Sequence, residues 1–288
     1  MALKTQAAME ELGRLFAAAR PEAVVIATPH NVHIAGAVGV IVAGRLAGRL
    51  PGAPASVALD MPVDADLAWR LLAALGAARV PSVGVSFGSN DPATAVAPMD
   101  WGVLIPLWFM GGRQKPPLPV VVVTPARDIP VDAHVRAGGA IARAASTSGR
   151  RVAFIASADH GHAHRADGPY GYHPDATRYD RLVCKLVRAN HLEVLCDIPP
   201  DLVERAKADS WWQLLILHGA TGAGWRGRLL SYEVPTYFGM LTAAYTLEPP
   251  PHPGRVPRPD LPAGRGGQAS RGTASPPRTR TRRRTRAG

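Results

Sequence analysis

Cysteine is almost absent from this 288-residue chain, which holds only Cys184 and Cys196. Two cysteines rule out a disulfide framework or a thiolate metal cluster as its organising principle. Long apolar runs are also missing. The longest run of small apolar residues, 34–44, is stopped by Arg45 and is too short to span a bilayer. No basic segment leads into an apolar stretch and a small-residue cleavage site at the amino terminus, so a cytoplasmic protein is expected. Acidic charge is scarce too, with 22 Asp and Glu against 33 Lys and Arg and a formal net charge of +11. Ten arginines and one acid, Asp260, fall between Arg255 and Arg286, so most of that surplus sits in the last part of the chain. The remainder is close to neutral and carries no basic stripe, which argues against a dedicated nucleic-acid partner.

What is present is the composition of a folded body, 47% hydrophobic and 19% charged. Residues 3–20 read as an amphipathic helix with Met9, Leu12, Phe16 and Ala19 on one face, ended by Pro21. Ala23 to Thr28 is short, β-branched and apolar, as a buried strand would be. The alternation continues with strands at 55–59, 80–87, 118–124 and 151–157. Helices fall at 132–146, at 176–190, and after Asp64 or Asp66 as a cap. Two late strands, 229–232 and 240–247, flank Glu233. This order predicts an α/β fold, a three-layer sandwich around a central mainly parallel or mixed sheet. The folded domain is expected over 1–250. Residues 251–288, rich in Pro, Gly and Arg, have little to bury and are expected to be a disordered basic tail.

Polar residues stand just beyond the apolar runs, where such sheets place their ligands. His30 follows the first strand in Ala27-Thr-Pro-His-Asn-Val-His. His160, His162 and His164 alternate in Ser157-Ala-Asp-His-Gly-His-Ala-His. Glu233 stands in Ser231-Tyr-Glu-Val-Pro-Thr. Two imidazoles and a carboxylate are donors that suit ferrous iron with open coordination positions, and the other histidines could carry protons. Each residue also has a plainer reading: His30 as a polar loop residue, Glu233 as a cap or solvated acid, the histidine run as a polar rim. Asp159 could fix a histidine tautomer or tie down the turn. Arg113 and Arg165 could receive a substrate carboxylate or simply be solvated. The histidine spacing matches neither a zinc finger nor the metalloprotease helix motif.

Thr28-Pro-His-Asn, Ser157-Ala-Asp-His-Gly-His, Tyr170-Gly-Tyr and Tyr232-Glu-Val-Pro-Thr, in this order over residues 3–248, resemble the class III extradiol ring-cleavage dioxygenases, catalytic-subunit type. The resemblance implies Fe(2+) as cofactor, and an aromatic diol or aminophenol and dioxygen as substrates. It also implies a homo-oligomer, with or without a small second subunit. It makes His30 the second histidine ligand of the metal, Glu233 the carboxylate ligand and His162 the acid–base residue, with His160 as the alternative. The family's first ligand is a histidine on an opening strand before the first helix. No histidine precedes His30, and His33 lies too near it to substitute. The written start therefore lies downstream of the true one, or this form has lost efficient catalysis. Trp101 in Asp100-Trp-Gly stands where relatives of the DOPA-cleaving type carry histidine; it could stack on a substrate or serve as a core or rim residue. Two rivals remain open: a non-catalytic member of the same fold, and a zinc-dependent hydrolase.

Overall fold

The computed structural model describes residues 2–52 and 56–247. The expected basic tail at 251–288 and the start of the expected strand at 55 lie outside the described residues. Five strands form the central sheet: β1 (Ala23–Ala27), β2 (Val38–Ile41), β5 (Ser82–Val85), β7 (Val120–Thr124) and β8 (Val152–Ala156), in the order β5-β2-β7-β1-β8. β7, β1 and β8 run parallel, β2 is antiparallel to β7, and β5 is parallel to β2. The sheet is therefore mixed.

Alternate residues of β1 serve opposite faces, the two-residue period of a strand buried on both sides. Ala23, Val25 and Ala27 pack with Leu67, Leu71 and Leu75 of α2 (Ala65–Ala77) and with small residues of α4 (Val131–Thr147). Val24 and Ile26 pack on the other face. Their partners include Phe16 of α1 (Leu3–Ala19) and Val103, Leu104 and Leu107 of α3 (Trp101–Phe109). A small sheet closes that side, made of β3 (Arg45–Leu50), β4 (Val57–Pro62) and β6 (Val96–Pro98). These are the three layers. A third core joins α5 (Pro174–Ala189), α6 (Pro200–Ala206) and α7 (Trp211–Ala220) to the hairpin of β9 (Trp225–Glu233) and β10 (Met240–Leu247). The late strands are thus a two-stranded sheet of their own.

Of the two candidate caps, Asp64 is the one used: its side chain accepts the Leu67 N–H at 3.1 Å. Helix α3 was not foreseen, because Pro106 lies inside it. A proline there removes the N–H that would bond the carbonyl four residues back, at Gly102. That carbonyl instead accepts the Ser157 hydroxyl at 2.5 Å. The substitution keeps the helix viable and ties its first turn to the end of β8.

Candidate active site

β1 and β8 are neighbours, so their carboxyl-terminal loops start side by side. The ladder runs one step beyond the strands, with the Ser157 N–H bonded to the Ala27 carbonyl at 2.8 Å. His30 sits in the first loop, its backbone N–H 3.3 Å from Thr28 Oγ1. Its ring lies against Trp101, with centroids 4.5 Å apart. Trp101 is 38% exposed, so it covers His30 from the rim rather than filling the core. Asp100 caps α3 through Oδ1, which accepts the Gly102 N–H at 2.6 Å. A Cβ on Gly102 would fall 2.8 Å from Thr28 Oγ1, 3.0 Å from His30 Cδ2 and 3.1 Å from Asp100 Oδ1. Only glycine lets these three side chains close together. His30 Nε2, Asn31 Oδ1 and Asp100 Oδ2 are all buried without a hydrogen-bond partner. Buried polar atoms are normally paired, so these three stand out against the rest of the interior.

The histidine loop is the opposite case. Its backbone is stitched to its surroundings: His160 N–H to the Gly239 carbonyl, His162 N–H to Ala206, His164 N–H to Tyr237. His160 is 3% exposed, and its Nδ1 meets Ser210 Oγ at 2.9 Å, which in turn meets Tyr179 OH at 2.8 Å. Burial pulls the His160 pKa down, so it is held neutral. His164 Nε2 lies 2.9 Å from Asp180 Oδ2, which also accepts the Tyr232 hydroxyl at 2.7 Å, while Asp180 Oδ1 accepts the Gly161 N–H at 2.8 Å. Asp180 is fully buried, and these donors stabilise it there. Gly239 packs so closely on this carboxylate that an added Cβ would lie 2.0 Å from Oδ2.

His162 differs from both neighbours. Its Nδ1 is 2.8 Å from the Lys207 carbonyl, an acceptor only, so Nδ1 carries the proton and Nε2 is the free nitrogen in the neutral ring. The ring stacks on Phe238 at 5.3 Å and meets the edge of Tyr170 at 5.6 Å. It lines a cavity of about 410 Å³ with Tyr170, Trp212, Arg127, Lys207 and Asp209 among the walls. The Arg127 guanidinium lies over Trp212 at 4.7 Å and pairs with Asp209 at 2.5 Å. Asp159, 6% exposed, has its Oδ2 3.9 Å from His162 Nε2. Burial, reinforced by Asp209, pushes its carboxyl pKa up to about 7. The Lys207 carbonyl, not Asp159, sets the tautomer of His162.

Glu233 ends β9 and reaches the start of α1, where its Oε1 accepts the Thr5 N–H at 2.7 Å. The helix has no local side-chain cap, so a carboxylate 228 residues away in sequence supplies it. That bond holds its pKa below the usual glutamate range. Among the described residues no three His, Cys, Asp or Glu side chains gather closely enough to hold a metal ion. His30 therefore offers a fitting single donor, while the set as a whole does not form a three-donor shell. Arg113 and Arg165 lie elsewhere: the first donates to the Trp108 carbonyl and the second pairs with Asp167. Arg127 and Asp209 were not singled out from the sequence, since no motif surrounds them. Asp180 had a signal, being an acid between Tyr179 and Val183 on the buried face of α5.

A mixed sheet carries a buried histidine loop beyond its strand ends, and the loop opens on an aromatic-walled cavity, where α/β domains place their ligand sites. The family model described as the catalytic LigB subunit of aromatic ring-opening dioxygenase matches residues 2–242, and the chain belongs to that family. Protein CA_C1420 of Clostridium acetobutylicum is 24% identical over 231 residues, covering 80% of this chain and 49% of that protein. The chain thus spans about half the length of this curated relative. The crystal structure of the uncharacterized protein JW3007 from Escherichia coli K12 shares the fold, with a TM-score of 0.59 and 18% identity over 82% of this chain and 91% of that one. No helix among the described residues is long and apolar enough to cross a membrane.

Proposed function

We propose that this protein cleaves a catechol-like or aminophenol-like ring beside its paired substituents, using ferrous iron and dioxygen. The observation that carries this reading is His162: one ring nitrogen is fixed by a backbone carbonyl, and the ring lines a cavity with aromatic walls. Such an imidazole is built to take a substrate hydroxyl proton on Nε2 and return it later, near neutral pH. His160 is the weaker candidate for that task, since Ser210 holds its Nδ1 within the interior. His30 and Glu233 are the proposed iron ligands, supported by the orphaned Nε2 of His30. Bound ferrous iron would bring substrate and dioxygen together as template and charge sink. Trp101 shields the His30 ring, and Tyr170 and Trp212 offer flat apolar faces to an aromatic substrate. The setting we assign is cytoplasmic, in a homo-oligomer with or without a small second subunit.

A second reading, a non-catalytic member of the same fold, is favoured by the engagement of Glu233 at α1 and by the lack of a three-donor cluster among the described residues. Anaerobic loading with ferrous iron, followed by oxygen uptake with simple catechols, separates the two. Under the first reading His162→Ala abolishes uptake and keeps most of the iron, whereas Glu233→Ala loses both. Full turnover and full iron content in Glu233→Ala would overturn the assigned site.

A further inference from the structure

Arg113 and Arg165, the arginines that the sequence offers as receivers of a substrate carboxylate, are bonded elsewhere. The cavity that His162 lines has a different one in its wall, Arg127, from the segment between β7 and α4. We propose that Arg127 is the specificity-determining residue of this cavity and receives a carboxylate carried by the substrate's ring. The inference rests on the ring-cleavage reading and narrows its substrate class to rings that bear an acid as well as the catechol-like pair. At about 410 Å³ the cavity has the size that holds one small ligand.

One short stretch of chain, from the end of α6 to the start of α7, mounts both groups. The Lys207 carbonyl holds His162 Nδ1 at 2.8 Å, and the Asp209 carboxylate holds the Arg127 guanidinium at 2.5 Å. Trp212 lies under that guanidinium, 4.7 Å from ring centroid to its central carbon. The imidazole and the guanidinium are thus set relative to one another before a ligand arrives, which lowers the cost of ordering a ring against both. The guanidinium is only partly spent. Among the described residues its Nη2 alone meets an acceptor, and the side chain is 46% exposed. A planar fork with spare donors is matched by a carboxylate, which accepts two parallel bonds. The neighbouring acids do not offer an equivalent place to a cation. Asp209 is engaged by Arg127 itself. Glu204 and Lys207 line the cavity as exposed residues of opposite sign and offset one another. Asp159, which senses Asp209, is pushed by burial toward its uncharged form. The start of α7 adds a smaller contribution of the same sign. Trp211 and Trp212 line the cavity, and Ser210 Oγ is turned to His160 and Tyr179 instead of capping the helix.

The test is calorimetric binding to the full chain, without added iron, of three rings with adjacent hydroxyls: dihydroxybenzoate, dihydroxybenzamide and dihydroxybenzylamine. The acid is expected to bind about tenfold more tightly than its uncharged amide, as a charge-assisted hydrogen bond would give, and the amine most weakly. In Arg127→Gln that preference is expected to vanish through loss of affinity for the acid, with the amide unchanged. Arg127→Lys keeps the charge that Asp209 faces but loses the fork, and decides the matter should Arg127→Gln fail to fold: the preference is expected to shrink, and an undiminished one overturns the proposal. Equal binding of acid and amide by the unaltered protein overturns it, as does a preference that survives in Arg127→Gln. Tighter binding of the amine also overturns it and gives the cavity's specificity to its acids. Neither iron nor dioxygen enters, so the two readings fail separately. A preference for the acid in a protein that takes up no oxygen after iron loading would support this proposal and sink ring cleavage, and oxygen uptake with plain catechol but no preference would do the reverse.

Discussion

The two loops that leave β1 and β8 begin one ladder step apart and are finished in opposite ways. In the β8 loop, His160, His162 and His164 each have a ring nitrogen matched to a fixed partner, and Asp180 takes up donors from three directions. In the β1 loop and the adjoining start of α3, His30 Nε2, Asn31 Oδ1 and Asp100 Oδ2 are buried with nothing to bond. Unsatisfied buried groups cost stability, whereas a completed network holds one geometry. The contrast separates a network that orients a ring from a group of buried polar atoms left without partners. Activity in this family would need both.

The sharpest way to break the contrast is Asp180→Ala. It strands the Gly161 N–H, the His164 ring and the Tyr232 hydroxyl together, and is expected to cost about 3–5 kcal/mol in chemical denaturation. A loss no greater than that of an ordinary surface substitution would refute the reading of the β8 loop as a load shared through one buried acid. A second test uses pH. The folded-state pKa of Asp159, about 7, lies above the unfolded value of about 3.9. The stability it contributes is complete below the unfolded value and is lost as pH rises through the folded one. Asp159→Asn is therefore expected to leave the melting temperature unchanged near pH 3 and raise it at pH 8, by the equivalent of about 4 kcal/mol. Equal effects at both pH values would count against a protonated Asp159.

Ser157→Ala gives a smaller effect and tests the seam between the loops. It leaves the Gly102 carbonyl, already deprived of its helical partner by Pro106, without the hydroxyl it accepts. A loss of about 1–2 kcal/mol by thermal melting is expected. The smallest effect is expected from His30→Ala. An imidazole nitrogen with no partner contributes little, so stability should change by less than about 1 kcal/mol while iron binding falls. A destabilisation rivaling that of Asp180→Ala would erase the distinction between the two loops.

Much of the fold was legible because its strands follow simple patterns. Ala23–Ala27 and Val120–Thr124 are short apolar runs with turn residues beyond them, and both lie in the sheet as expected. β2 was hidden in a run of glycine, alanine and valine that has no alternation, since it is buried throughout. α3 was hidden by Pro106, whose cost is met by a serine distant in sequence. The motifs led to the histidine loop but not to its partners: Ser210, Lys207 and Asp209 reach it through a backbone carbonyl or through folding of distant helices. Glu233 shows the same limit, because its bond to Thr5 depends on a hairpin returning to the first helix, which no local pattern encodes.

Gly102 has a consequence of its own. A methyl group there would change no charge, no donor and no ring, yet it would act as a wedge between the β1 loop and the helix beside it. The space behind Gly102 is thus as much a component of the recess as the side chains around it, and a variant survey that scored residues by their chemistry alone would pass it over.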